Sequence, residues 1–310
     1  MTHPKPFRFG VVGISAPSRK EWVARARRAE ALGFSTFLAW DHFNDQLAPL
    51  PALLAVADAT SSLRIGTSVL ANDYRHPVLL AKEAATLDLL SEGRFELGMG
   101  AGWKQDEYRQ AGIRFDEPMD RVRRLEESIQ IIKRLWTQTP TTFHGQYYTV
   151  TNLQGYPAPV QTPHPPLMIG GARRKMLALA AREADIVSFA TKVFSDGTHD
   201  FTDSTGPAIA QKRAWVQDVA GVRFATLELH IHVGGVMITN DREKTAAQFA
   251  ETVGLTSAQL LDCPQALIGT EDEIVADLLQ RREQHGISYI SVDERFMETL
   301  APIIARLQEA

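Results

Sequence analysis

Leu63 to Gly102 reads LRIGTSVLANDYRHPVLLAKEAATLDLLSEGRFELGMGAG. Leu63 to Leu70 is an apolar run of strand length. Pro77 to Leu90 has helical character with proline in its first turn, and Arg94 to Gly98 is a second apolar run that enters the glycine-rich turn Gly98 to Gly102. A strand, a helix and a strand with short connections predict two parallel neighbours, because a right-handed crossover helix returns the chain to the edge it left.

The same alternation extends in both directions. Upstream, Phe7 to Gly13 (FRFGVVG) is strand-like, and Ser18 to Leu32 is helical, with Ser18 and Glu21 at capping-box spacing. Gly33 stops that helix; Ser35 to Trp40 is the next strand and Pro51 to Thr60 the next helix. Downstream, Met119 to Trp136 is a long amphipathic helix. Thr141 to Asn152 (TTFHGQYYTVTN) breaks the rhythm as an inserted hairpin, followed by the proline-rich connection Tyr156 to Pro166. The alternation then resumes: strand Pro166 to Gly171, helix Arg173 to Glu183, strand Asp185 to Thr191, helix Ala208 to Val219, and Phe224 to Ile238 as one long strand. Helices Arg242 to Thr252 and Thr270 to His285 precede a final strand, Ile287 to Val292, and a C-terminal helix.

Eight strands in one alternation close as an α/β fold of the (β/α)8 TIM-barrel type, expected here as a single domain over residues 1–310 with insertions after strands 4 and 6. The second insertion, Asp196 to Gly206 (DGTHDFTDSTG), is polar and structureless in composition and is expected to be lid-like. The competing open doubly wound sheet lacks its mark, since the glycines of Gly10 to Gly13 do not have Gly-x-Gly-x-x-Gly spacing.

Composition narrows the function classes. With 33 Lys+Arg against 37 Asp+Glu the net charge is −4, which does not suit a polyanion-binding surface. The 44% hydrophobic content supplies a large core. The single cysteine, Cys263, has no partner for an intramolecular disulfide, as expected of a cytoplasmic protein. No stretch approaches the ~20 apolar residues of a membrane span, and the N-terminal apolar run is too short for a secretory signal, so a soluble protein without membrane or nucleic-acid partners is expected.

In a barrel of this kind the chemistry lies at the C-terminal strand ends. Asp41 and His42 follow strand two, and histidine is the side chain that changes charge near neutrality, so His42 is the candidate proton donor or acceptor. The plainer alternative is that Asp41 caps the next segment and His42 is a packed polar residue. Gly170, Gly171, Ala172, Arg173 and Arg174 combine a strand end, two glycines, a helix start and cationic side chains, a combination that suits a phosphate; a simple turn with solvated arginines is the alternative. His230 and His232 share one strand face without a visible third metal ligand, so barrel-lining or packing is expected and no metal site. Arg25, Arg27 and Arg28 read as a solvated helix face.

Taken together, LRIGTSVLANDYRHPVLLAKEAATLDLL, GRFELGMGAGWKQDEYRQAG, FRFGVVG, AEALGFSTFLAWDH and PPLMIGGARRKMLALAAREADIV closely resemble the luciferase-like monooxygenase superfamily, especially its coenzyme F420 (deazaflavin)-dependent branch, over most of residues 7 to 192. The resemblance implies a flat ring held at the strand ends and supported from behind by a bulge after strand three, often built on a non-prolyl cis peptide, here at Ser68-Val69. It implies that Asp41 and His42 lie near the reacting face, and that Ser68, Val69, Ala71, Gly100, Ala101 and Gly102 pass close to the ring. Gly170, Gly171, Ala172 and Arg173 would receive the cofactor phosphate, with Thr191 and Lys192 in reach of it or of its acidic extension. Asp41, His42 and Trp103 are the implied catalytic set. Deazaflavin sugar-phosphate dehydrogenases carry a glutamate where this chain has Trp103, which suggests an apolar or aromatic wall for the substrate, with a core-capping role for Trp103 as the alternative.

The leading expectation is an F420-dependent oxidoreductase that moves a hydride to or from a small organic substrate. An FMN-dependent two-component monooxygenase shares the same barrel and phosphate turn, and a non-catalytic flavin-binding barrel is the third possibility. Relatives of this type are often dimers, and a homodimer is compatible with the sequence.

Overall fold

The computed structural model describes residues 5–194 and 197–308. Eight parallel strands carry the fold: β1 (Arg8–Gly13), β2 (Thr36–Ala39), β3 (Arg64–Thr67), β4 (Phe95–Gly100), β5 (Leu167–Gly171), β6 (Ile186–Phe189), β7 (Glu228–Val233) and β8 (Ile287–Asp293). The chain forms two compact units, one of residues 14–27 and 37–169, the other of residues 1–13, 28–36 and 170–310.

In the first unit β3 pairs with β4 (Ile65 opposite Phe95, Gly66 opposite Glu96), and β4 pairs with the start of β5 (Leu97 opposite Leu167, Met99 opposite Ile169). The expected strand Leu63 to Leu70 is broken. It ends at Thr67, passes through the cis peptide Ser68-Val69, and resumes as Leu70–Ala71 beside Met99 and Gly100. The break has a local cause: the Thr67 hydroxyl donates to the Gly98 carbonyl (2.9 Å) and accepts from the Gly98 N–H (2.8 Å), substituting for ladder bonds. Gly98 makes room for it, since a Cβ there would lie 1.8 Å from the Thr67 carbonyl oxygen.

The helix Pro77–Leu90 follows as expected, and its buried Asp88 accepts from the N–H groups of Val160 (2.7 Å) and Gln161 (3.0 Å), pinning the proline-rich connection. The expected hairpin is present as Thr141–His144 against Thr149–Leu153. Glu127, on the helix Pro118–Thr137, accepts from the N–H groups of Gln146, Tyr147 and Tyr148 and so anchors its turn.

In the second unit β1 pairs with β8, β8 with β7, and β7 with β6, all in parallel. Every residue of β8 and all but the first of β1 are buried, as strands covered on both faces require. The expected single strand Phe224 to Ile238 is instead a turn, Gly221–Ala225, then β7, then a separate strand Gly235–Ile238 that pairs with Ala266–Gly269. The redirection falls at Gly234, whose N–H donates to the Gln265 carbonyl (3.0 Å). That side pair packs with Ala246, Ala250, Leu255 and Leu260 as a separate apolar cluster.

The second insertion also has more structure than its composition suggested. Asp196 lies outside the described residues; from Gly197 onward the segment contains His199–Asp200, paired with Lys192–Val193, and the turn Phe201–Ser204. Buried Lys212 fastens it, donating to the carbonyls of Ala190 (2.7 Å) and Asp203 (2.8 Å) and to the Asp203 carboxylate (2.5 Å).

His230 sits in this core, between the hydroxyls of Ser188 (Nδ1, 2.8 Å) and Ser291 (Nε2, 2.9 Å) and edge-on to Tyr289. His232 reaches Ser291 and Asp293, so both histidines are packed into the hydrogen bonding of their own sheet. Burial, with the charges of His232 and Arg8, pushes the His230 pKa down to about 3. The unfolded chain therefore binds the extra proton between about pH 6.5 and 3, and stability falls as pH drops through that window, by up to ~1.4 kcal/mol per pH unit. Urea unfolding at a series of pH values below neutrality is expected to show a shallower loss for His230→Gln than for the parent protein. Equal slopes would contradict the buried, neutral state of His230.

Candidate active site

Strand β2 delivers Asp41 and His42 at its C-terminal end. The buried Asp41 carboxylate takes both guanidinium nitrogens of Arg75 (2.6 and 2.9 Å) and the N–H of Ala71 (3.0 Å). Arg75 and Ala71 flank the turn Asn72–Tyr74, so one bidentate, charge-assisted contact ties the end of β2 to the segment beyond the Ser68-Val69 break. The Ser68 N–H adds a bond to the Ala39 carbonyl (3.0 Å).

His42 Nδ1 lies 3.0 Å from Oε2 of Glu107, which is nearly fully buried in the helix Gln105–Ala111. Lys104 Nζ stands 2.8 Å from the other carboxylate oxygen, and the Tyr74 hydroxyl approaches Oε2 at 3.5 Å. Burial pushes the Glu107 carboxyl up, but the hydrogen bonds from Lys104 and His42 and their charges outweigh it and hold the group below its ordinary value. Glu107 is therefore placed to accept the Nδ1–H of His42. Trp103 presents its ring edge-on to His42, with centroids 5.7 Å apart.

The glycine turn is held by protein neighbours. Arg121 donates to the carbonyls of Ala101 (3.4 Å) and Gly102, and the Tyr108 hydroxyl donates to Asp73 (3.2 Å), which also takes Arg124 (2.9 Å). Gly102 has φ +76°, and a Cβ there would meet the Tyr108 hydroxyl at 1.7 Å. Gly100 is confined in the same way by the Val69 side chain.

Asp41, His42, Ser68, Val69, Ala71, Gly100, Ala101, Gly102 and Trp103 thus all belong to the first unit, where Asp41 meets Ala71 and His42 meets Trp103. The sequence reading missed Glu107, Arg75 and Tyr74. The signal that could have found Glu107 is a carboxylate in the first turn of the helix that follows Trp103.

Gly170, Gly171, Ala172, Arg173, Thr191 and Lys192 belong to the second unit. Gly170 and Gly171 end β5, and Arg173 is the N-cap of the helix Arg174–Glu183, without a side-chain cap and without an acidic residue in the first turn. Arg173 is exposed, and Arg174 makes a 3.8 Å contact with Asp218. Thr191 and Lys192 are committed nearer home: Thr191 bonds Ser204 and Gln265 (both 2.7 Å), and Lys192 Nζ pairs with Asp203 at 2.9 Å. Among the described residues no group of three or more His, Cys, Asp or Glu could hold a metal ion, and no helix is long and apolar enough to cross a membrane.

A family model described as luciferase-like monooxygenase matches residues 5–289. The chain belongs to this family. Solved structures similar to this luciferase-like protein include an F420-dependent secondary alcohol dehydrogenase in complex with an F420-acetone adduct (TM-score 0.77, 18% identity, 98% of this chain and 99% of that one). Another is the monooxygenase RslO1 from Streptomyces bottropensis (TM-score 0.75, 22% identity, 98% and 100%). They share its fold class, the α/β (β/α)8 barrel. Among curated relatives, an F420-dependent glucose-6-phosphate dehydrogenase of Amycolatopsis mediterranei (strain U-32) is 34% identical over 202 residues, 62% of this chain and 59% of that protein. An FMNH(2)-dependent dimethylsulfone monooxygenase of Pseudomonas putida is 34% identical over 203 residues, 60% and 56% of the two chains. The matched part therefore spans less than two thirds of either relative, and these relatives are enzymes of two cofactor classes.

Replacing Asp41 by alanine strands the Arg75 guanidinium and the Ala71 N–H. Asp41→Ala is expected to lower the unfolding free energy by about 3 kcal/mol, read by urea denaturation. A loss below about 1 kcal/mol would rank the pair with ordinary surface ion pairs.

Proposed function

We propose that this luciferase-like protein is a coenzyme F420-dependent oxidoreductase that moves a hydride between the deazaflavin ring and a small organic substrate. The observation that carries the reading is the His42-Glu107 pair, an imidazole at a strand end whose far nitrogen is fixed by a buried, ionised carboxylate. The presence of an F420-dependent dehydrogenase among its relatives supports the cofactor class.

Taken separately, residues of each unit suit a part of such a group. An uncapped helix N-terminus beside exposed Arg173, preceded by Gly170, Gly171 and Ala172, suits an anionic tail. Backbone-rich segments at Ser68, Val69, Ala71 and Gly100 to Gly102 suit the edge and back of a flat ring. When bound, a deazaflavin supplies two-electron hydride chemistry. The chain supplies the rest: Asp41 and Arg75 hold the strand-end segment, Glu107 orients His42, and Trp103 forms a wall. Oxidation of a carbon bearing a hydroxyl to a carbonyl releases one proton, which His42 Nε2 takes; reduction returns it from the same atom.

FMN-dependent monooxygenation is the second reading, supported by the FMNH(2)-dependent relative at equal identity. The contact between His42 and the buried Glu107 favours an enzyme over a barrel that only binds its cofactor. His42→Ala is expected to keep cofactor affinity within about two-fold while turnover falls about 10²-fold or more, the scale of a lost general acid or base. Unchanged turnover would remove His42 from the proton step.

A further inference from the structure

We infer that the substrate of this site is a neutral, flat aromatic compound, an inference that rests on the proposed function only for where the reaction occurs. Two large aromatic side chains stand open beside His42: Phe43, 53% exposed, and Trp103, 42% exposed. Open rings of this size on a soluble protein commonly mark a binding surface. Neither hangs loose. Phe43 stacks on Tyr74 with centroids 4.5 Å apart and planes 29° apart, and Trp103 stands at 84° to His42. Tyr74 in turn touches Tyr108 and reaches Glu107, so Phe43 is braced by a neighbour of the acid that holds His42, and Trp103 by His42 itself. Rings positioned in advance bind a flat ligand with little loss of side-chain entropy.

The charges around these walls leave little for an anionic substrate. Arg75 is held by Asp41, Lys104 by Glu107, and Arg124 by Asp73 and Asp116, while Arg121 is turned to the carbonyls of Ala101, Gly102 and Asp116. A phosphate or carboxylate arriving here would meet cations already neutralised by acids and would lie close to those carboxylates, while drawing a cation away would strand a buried acid, which is costly. The substrate class therefore departs from the sugar phosphate in the name of one relative.

The test compares two ligands of the same ring system and nearly the same size, neutral 2-acetylnaphthalene and anionic 2-naphthoate, by calorimetric titration of the protein with and without saturating F420. Neutral ligand is expected to bind at least about ten-fold more tightly than the acid. Phe43→Ala and Trp103→Ala should each weaken it about ten-fold, Trp103→Phe should restore most of the loss, and F420 affinity should stay within about two-fold. Equal or tighter binding of the naphthoate, no effect of either alanine variant, or a parallel loss of F420 would each overturn the inference. Failure of F420 to bind would instead sink the cofactor reading, and the naphthyl comparison would still be read in its absence.

Discussion

The buried bond between Asp41 and Arg75 is the constraint on which the site depends. It joins the end of β2 to the turn beyond β3 at the point where β3 has stopped behaving as a strand. Between the joined ends lie Ser68 and Val69, whose path is fixed on the other side by the paired bonds of Thr67 and Gly98. A backbone break of this kind would ordinarily leave polar groups adrift in a parallel sheet. Here the Ser68 N–H goes to Ala39, the Ala71 N–H to Asp41, and Leu70–Ala71 rejoins the ladder beside Met99 and Gly100.

Once those ends are fixed, the neighbouring charges arrange themselves in matched pairs. Glu107 is ionised despite its burial because Lys104 and His42 face it, and Asp73 sits between Tyr108 and Arg124. The consequence for function is a histidine with one nitrogen spoken for, set among aromatic rings and without a surplus of positive charge. The net charge of −4 says nothing of this, because the pairing is local.

Much of this was legible in the sequence. Parallel alternation and the hairpin after β4 follow from local pattern, and the Ser68-Val69 break from the family resemblance, whereas Asp41 and His42, adjacent in sequence, turn to different partners, Arg75 and Glu107. What was not legible depended on partners far along the chain. Glu107 lies 65 residues from His42, and Arg75 lies 34 from Asp41, so neither pair has a spacing that marks it. Phe224 to Ile238 has strand composition throughout, and only the exit at Gly234 to a second partner, Ala266–Gly269, divides it. The polar segment after β6 looked structureless because its order comes from Lys212, a buried lysine on a later helix, and from no periodicity of its own.

Curated relatives of part of this chain are named for F420 and for FMNH(2), and the two cofactors share a flat ring and a phosphate. What separates the two chemistries is which ring the site prefers. Direct calorimetric titration of the purified protein with oxidised coenzyme F420 and, side by side, with FMN tests the hydride-transfer account most directly. The account predicts micromolar binding of F420 and distinctly weaker binding of FMN. Micromolar FMN binding with no detectable binding of the deazaflavin would contradict it.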